Sequence, residues 1–145
     1  MKNMEIREMR DRALYEAYVR GIREHDFSGE DEAADYARMQ PAPSFFISAW
    51  NLNKYFVRIE HHQPMDKIFS STRRKIRELY RRYQTYMLEH PDTKLARLHI
   101  CMILVDEPAP EFYVGHDLAL KIISRERAFA QKRAVTRAWK NEKKG

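Results

Sequence analysis

Two short segments constrain this chain more than any other feature: Pro41-Ala42-Pro43-Ser44-Phe45-Phe46 and Pro108-Ala109-Pro110-Glu111-Phe112-Tyr113. A proline lacks the amide hydrogen, clashes with the preceding helical turn, and pushes the residue before it out of the α region. Two prolines one residue apart therefore stop a helix and hold the chain extended or in polyproline geometry. Around both stops the sequence is dominated by strong helix formers. With only 4 glycines and 6 prolines in 145 residues, long flexible linkers are not expected. The chain reads as all-α, interrupted twice by the same stiff connector. The aromatics behind each connector carry a large apolar surface, so Phe45 and Phe112 are expected to plug the core.

The connectors are not the only repeated text. Leu14–His25 reads LYEAYVRGIREH and Leu79–His90 reads LYRRYQTYMLEH, with Leu, Tyr, Tyr, Glu and His at matching places. These two stretches lie 65 residues apart and the connectors 67 apart. At the second offset Lys54 meets Lys121 and Arg58 meets Arg125. The shared order predicts a tandem duplication of a three-helix, helix-turn-helix-like unit, packed as one compact body. Residues 1–66 form the first trihelical unit, and 67–145 the second with its basic C-terminal helix. The period exceeds that of common solenoids and only two copies exist, so no repeat array is implied.

Helical periodicity places the first helix over Met4 to Glu24, with Ile6, Met9, Leu14, Tyr18 and Ile22 along one stripe. Ser28 is the expected cap of a second helix that stops before Pro41, and its acidic start suits the helix dipole. Ser48 is the expected cap of a third helix, to about His61. In the second unit a long helix starts at Ser71 or Thr72 and runs to about Glu89. Asp92 or Thr93 caps a helix over LARLHICMILV, expected to be the most buried, with Ile100, Ile103 and Leu104 inward. The last helix starts near Gly115 or His116 and runs past Trp139.

The formal charge of +6 is unevenly spread. Met1 to Asp66 holds 9 Lys/Arg against 12 Asp/Glu, whereas Lys67 to Gly145 holds 18 against 9. An asymmetry of this size points to a polyanionic partner for the second half, most simply duplex DNA. The expected contacts are Arg73, Arg74, Lys75, Arg77, Arg81 and Arg82 in the long helix. In the last helix they are Lys121, Arg125, Arg127, Lys132, Arg133 and Arg137, with Lys140, Lys143 and Lys144 beyond. Asn51, Asn53, Lys54 and Arg58 on the helix after the first connector add base-edge and phosphate chemistry, because Asn pairs with adenine and Arg with guanine. Basic helices also bind acidic proteins, and apolar faces and aromatic connectors can mediate assembly, including homo-oligomers, so a non-catalytic adaptor or structural role in protein assembly is the alternative.

Enzyme chemistry has no foothold in the linear sequence. Gly21, Gly29, Gly115 and Gly145 form no phosphate loop. His61 and His62 are adjacent and point to different faces of a helix, and His99 and Cys101 lack a ligand pattern. Neither a catalytic residue, a metal nor a cofactor is expected. A single cysteine cannot form an internal disulfide. No apolar run approaches the roughly 18 residues that span a bilayer. Met1 to Arg12, charged with both signs, lacks the apolar core of a signal peptide. The expected location is the cytoplasm, without a membrane partner.

The tandem Pro-Ala-Pro-x-Phe-aromatic units resemble small, basic proteins carried by phages and mobile elements of Bacteroidetes, over about Leu14 to Arg127. The resemblance implies a genomic setting and no mechanism. The trihelical tandem also resembles Myb-type DNA-binding repeats in arrangement, without their regularly spaced tryptophans, since only Trp50 and Trp139 are present. Together these readings lead to the expectation of a DNA-binding helical protein of a phage or mobile element, with a regulatory, recombination-accessory or packaging role.

Overall fold

The computed structural model describes residues 3–144, and side chains through residue 142. Six helices follow one another: α1 (Asn3–Glu24), α2 (Glu30–Arg38), α3 (Ala49–Glu60), α4 (Ser70–Glu89), α5 (Arg97–Val105) and α6 (His116–Lys144). Among the described residues there is no strand beyond a single isolated bridge. None of these helices is long and apolar enough to cross a membrane.

Local chemistry sets most boundaries. Ser48 caps α3, its hydroxyl accepting from the Asn51 amide at 3.1 Å. At α2 the cap is Gly29 rather than Ser28. Ser28 sits one residue outside and donates both its amide (2.8 Å) and its hydroxyl (2.5 Å) to Glu32, which reaches back over the first turn. The long helix starts slightly before its expected cap, at Ser70 behind Phe69. The start of α5 is later than Asp92 or Thr93, at Arg97. There the Thr93 hydroxyl accepts from the Leu95 amide at 3.3 Å, a local turn that competes with helix formation. Within α5, Ile100 and Leu104 are buried as expected, but Ile103 is turned outward beside Met102. Gly21 of α1 is needed for close packing, because a Cβ there would meet the Tyr36 ring of α2 at 3.0 Å.

The connectors meet at the centre. Ala42 and Ala109 exchange both backbone hydrogen bonds, each 2.9 Å, in an antiparallel bridge. A Pro-Ala-Pro segment keeps only the alanine amide as donor, and each alanine satisfies the other. The pattern continues symmetrically: the Phe45 amide donates to the Val105 carbonyl and the Phe112 amide to the Arg38 carbonyl, both at 3.1 Å. Phe46 and Tyr113 occupy matched left-handed conformations (φ 52° and 56°). For an aromatic residue that geometry costs roughly 1–3 kcal/mol. It places the rings across the junction, Phe45 against Tyr113 at 6.0 Å and Phe46 against Phe112 at 6.3 Å. Phe45 and Phe112 are buried, together with Leu14 and Leu79, in one core cluster.

The helices on either side of this junction exchange partners. α1 and α2 pack on each other and on α6, while α5 packs on α3 and α4. Each third helix thus crosses over to the two helices of the other half of the sequence, and packing runs across the boundary at residue 66. Two ion pairs fasten the crossings at matched positions with their charges reversed. Arg97 of α5 pairs with Glu60 of α3, and Glu30 of α2 pairs with Arg127 of α6 at 2.7 Å.

Candidate nucleic-acid interface

The expected cations divide into those the fold consumes and those it leaves facing solvent. In α4, Arg74 donates to Glu111 (2.8 Å), and both Arg81 (2.6 Å) and Arg82 (3.0 Å) pair with Glu78. Hydrogen bonds, first from Arg81 and then from Arg82, hold the Glu78 carboxyl below its ordinary range. Arg82 also reaches the Pro108 carbonyl (3.1 Å) and lies 4.8 Å from the centre of the Phe45 ring. Lys75 is 7% exposed and therefore poorly placed for a phosphate. Desolvation, with the neighbouring Arg10 charge, lowers its pKa to about 8. Half-buried Arg73, exposed Arg77 and buried Lys75 have no ion-pair partner among the described residues.

On α6 the first twelve residues, a little over three turns, serve the fold. His116 bonds Asp35 at 2.7 Å and lies 3.5 Å from Asp31, tying the helix to α2. Arg125 pairs with Asp11 of α1 at 2.5 Å, and Arg127 adds a hydrogen bond to the Tyr18 hydroxyl at 2.9 Å. Beyond these contacts Phe129 and Arg133 still line a hollow with Met4, Arg7 and Glu8 of α1. The helix has 29 residues, about 43 Å at 1.5 Å each, against 12 in α3. Every residue from 131 to 142 is exposed. Lys132, Arg133, Arg137 and Lys140 line one shallow groove with Phe129 and Thr136, because steps of three and four residues share a helix face. These four cations have no carboxylate partner among the described residues, and neither does exposed Lys121. The side chains of Lys143 and Lys144 lie outside the described residues.

The helix after the first connector is more committed to the fold. Asn53 accepts from Arg97 at 2.8 Å, Asn51 donates to Asn3 at 3.3 Å, and Arg58 donates to the Pro64 carbonyl at 2.7 Å. Lys54 is exposed, with its ammonium 5.9 Å from the Trp50 ring centre. Two arginines outside the expected set, Arg38 and Arg97, prove structurally prominent. For Arg97 a sequence signal existed: Glu30 aligns with Arg97 and Glu60 with Arg127, so opposite charges trade places between the halves.

Among the described residues, no three His, Cys, Asp or Glu side chains gather as a metal site. Cys101 is buried, which pushes its thiol up to about 11, away from the reactive thiolate. No protein-family model, curated protein or solved structure matches the chain.

Proposed function

We propose that the chain is a non-catalytic nucleic-acid-binding protein, derived by tandem duplication of a helix–helix–connector–helix unit, that holds duplex DNA with the protruding end of α6. The sorting of its cations carries this reading. The arginines nearest the body are neutralised by its own carboxylates, whereas Lys132, Arg133, Arg137 and Lys140 share one exposed face of α6. Uncompensated cations on one helical face suit the phosphate backbone, and a single helix fits the major groove. The duplication is supported by α2 and α5, each 9 residues and starting 67 apart, and by the reciprocal hydrogen bonds at the connectors. The resemblance to phage and mobile-element proteins adds a regulatory, recombination-accessory or packaging setting in the cytoplasm.

The test is fluorescence anisotropy with a mixed-sequence duplex at several salt concentrations. If those four side chains each hold a phosphate, log K falls against log salt with a slope of about −3.6, at roughly −0.9 per phosphate. Changing all four to Ala removes most of that slope, while Arg82→Ala leaves it nearly intact. Absence of binding at low salt by folded protein refutes the reading and leaves the assembly or adaptor role.

A further inference from the structure

The two sides of the connector junction share a backbone pattern and differ in what fills them. On the α2 side, two arginines close the space. Arg38 donates to Asp35 at 2.7 Å and to the Val114 carbonyl at 3.4 Å. Arg74 donates to Glu111 at 2.8 Å, with its guanidinium 5.7 Å from the Tyr113 ring centre. On the α5 side every one of these groups is replaced. Val105 stands for Arg38, Met9 for Arg74, Met102 for Asp35 and Ser44 for Glu111, while Phe46 and Ile47 take the places of Tyr113 and Val114.

With both long cations missing, an open hollow of about 240 Å³ remains, lined by Met9, Phe46, Ile47, Met102, Val105 and Asp106 among others. Met9 and Met102 are 50% and 53% exposed at its mouth. The Ile47 carbonyl and the Asp106 carboxylate have no partner among the described residues, whereas Val114 and Asp35 both bind Arg38.

We propose that this hollow docks an arginine side chain from a peptide of a partner protein. The guest supplies what the α2 side supplies for itself: an aliphatic stem between the thioethers and a guanidinium against the Phe46 ring. The guanidinium donates to the Ile47 carbonyl and pairs with Asp106. Thioethers adapt to irregular guests, an aromatic face attracts a cation, and the C-terminal end of α5 adds negative potential. A planar fork of donors serves two acceptors at once, as a lysine ammonium does less well. The site is independent of the basic arm and of the nucleic-acid reading.

The experiment uses the full chain with ¹³C-methyl-labelled methionine, the two signals being assigned by Met9→Leu and Met102→Leu. The probes are acetyl-Leu-Arg-Leu-amide, the same peptide with neutral citrulline for arginine, and acetyl-Leu-Leu-Leu-amide. The arginine peptide is expected to shift both methyl signals. Citrulline, or Asp106→Asn with a parent-like amide spectrum, should weaken binding at least tenfold. Silent methyl signals at millimolar arginine peptide, equal affinity for all three peptides, or an Asp106→Asn variant that binds as the parent does would overturn the proposal.

Discussion

Replacing Lys75 with methionine tests the fold where the sequence expected a phosphate contact. In the folded chain its pKa falls from the usual 10.5 to about 8, through burial and the nearby Arg10 charge. At about 1.36 kcal/mol per pH unit, that displacement represents about 3 kcal/mol of unfavourable burial of the charged form. Below pH 8 the ammonium is charged in both folded and unfolded chains, and the whole cost bears on the fold. Between pH 8 and 10.5 the folded protein has released the proton that the unfolded chain still holds. Stability of the parent therefore rises with pH across that window. Methionine has a similar length and no charge, so Lys75→Met should stabilise the protein at pH 7 by roughly 2–3 kcal/mol. The advantage should shrink as pH approaches 10. Urea unfolding of parent and variant at pH 7, 8.5 and 10 measures the difference directly. A variant less stable than the parent at pH 7, or a gain that does not change with pH, would refute the argument from burial.

Two further outcomes follow from the core and from the helix crossing. Phe45→Ala empties a site that is 1% exposed and should cost about 3–5 kcal/mol, lowering Tm by about 10 °C or more in a thermal melt, because Phe45 also stacks on Tyr113 and lies under Arg82. His116 has its pKa raised from 6.5, first by the hydrogen bond to Asp35, so its contribution is complete below pH 6.5 and fades as pH rises through the folded value. Asp35 is lowered from 3.8, first by Arg38 and then by His116, and its contribution fades as pH falls below that range, so the Tm gap between parent and His116→Asn should be wider at pH 5 than at pH 8.

The helices, the connectors and the buried phenylalanines were legible because their causes are local: periodicity, caps and prolines. The Ser48 cap lies three residues from the Asn51 amide that donates to it, and the sequence resolved it. The crossing of α3 and α6 was not legible. Nothing in a linear reading says whether a third helix returns to its own neighbours or passes to another pair. That choice rests on Ala42 meeting Ala109, a contact 67 residues long in sequence. The fate of the cations escaped for the same reason. Arg74 and Arg125 look like their exposed neighbours until Glu111 and Asp11 arrive from distant segments. The arm of α6 was readable as a charge run, but its separation from the body depends on where α1 and α2 begin.

The crossing of the third helices also fixes how the chain would come apart. The two halves of the sequence are joined covalently only through residues 61–69, yet each half keeps one helix inside the other's packing. A single peptide cleavage in that segment would break no helix and no helix–helix contact. The nicked pieces would stay clasped, and separating them would require α3 and α6 to withdraw together. Either piece made alone would hold a third helix with nowhere to fold back, and a second copy would not replace the missing half, because Glu60 would then meet Glu30 and Arg127 would meet Arg97. In this architecture the linker is a tether, and the grip between halves is mechanical reciprocity.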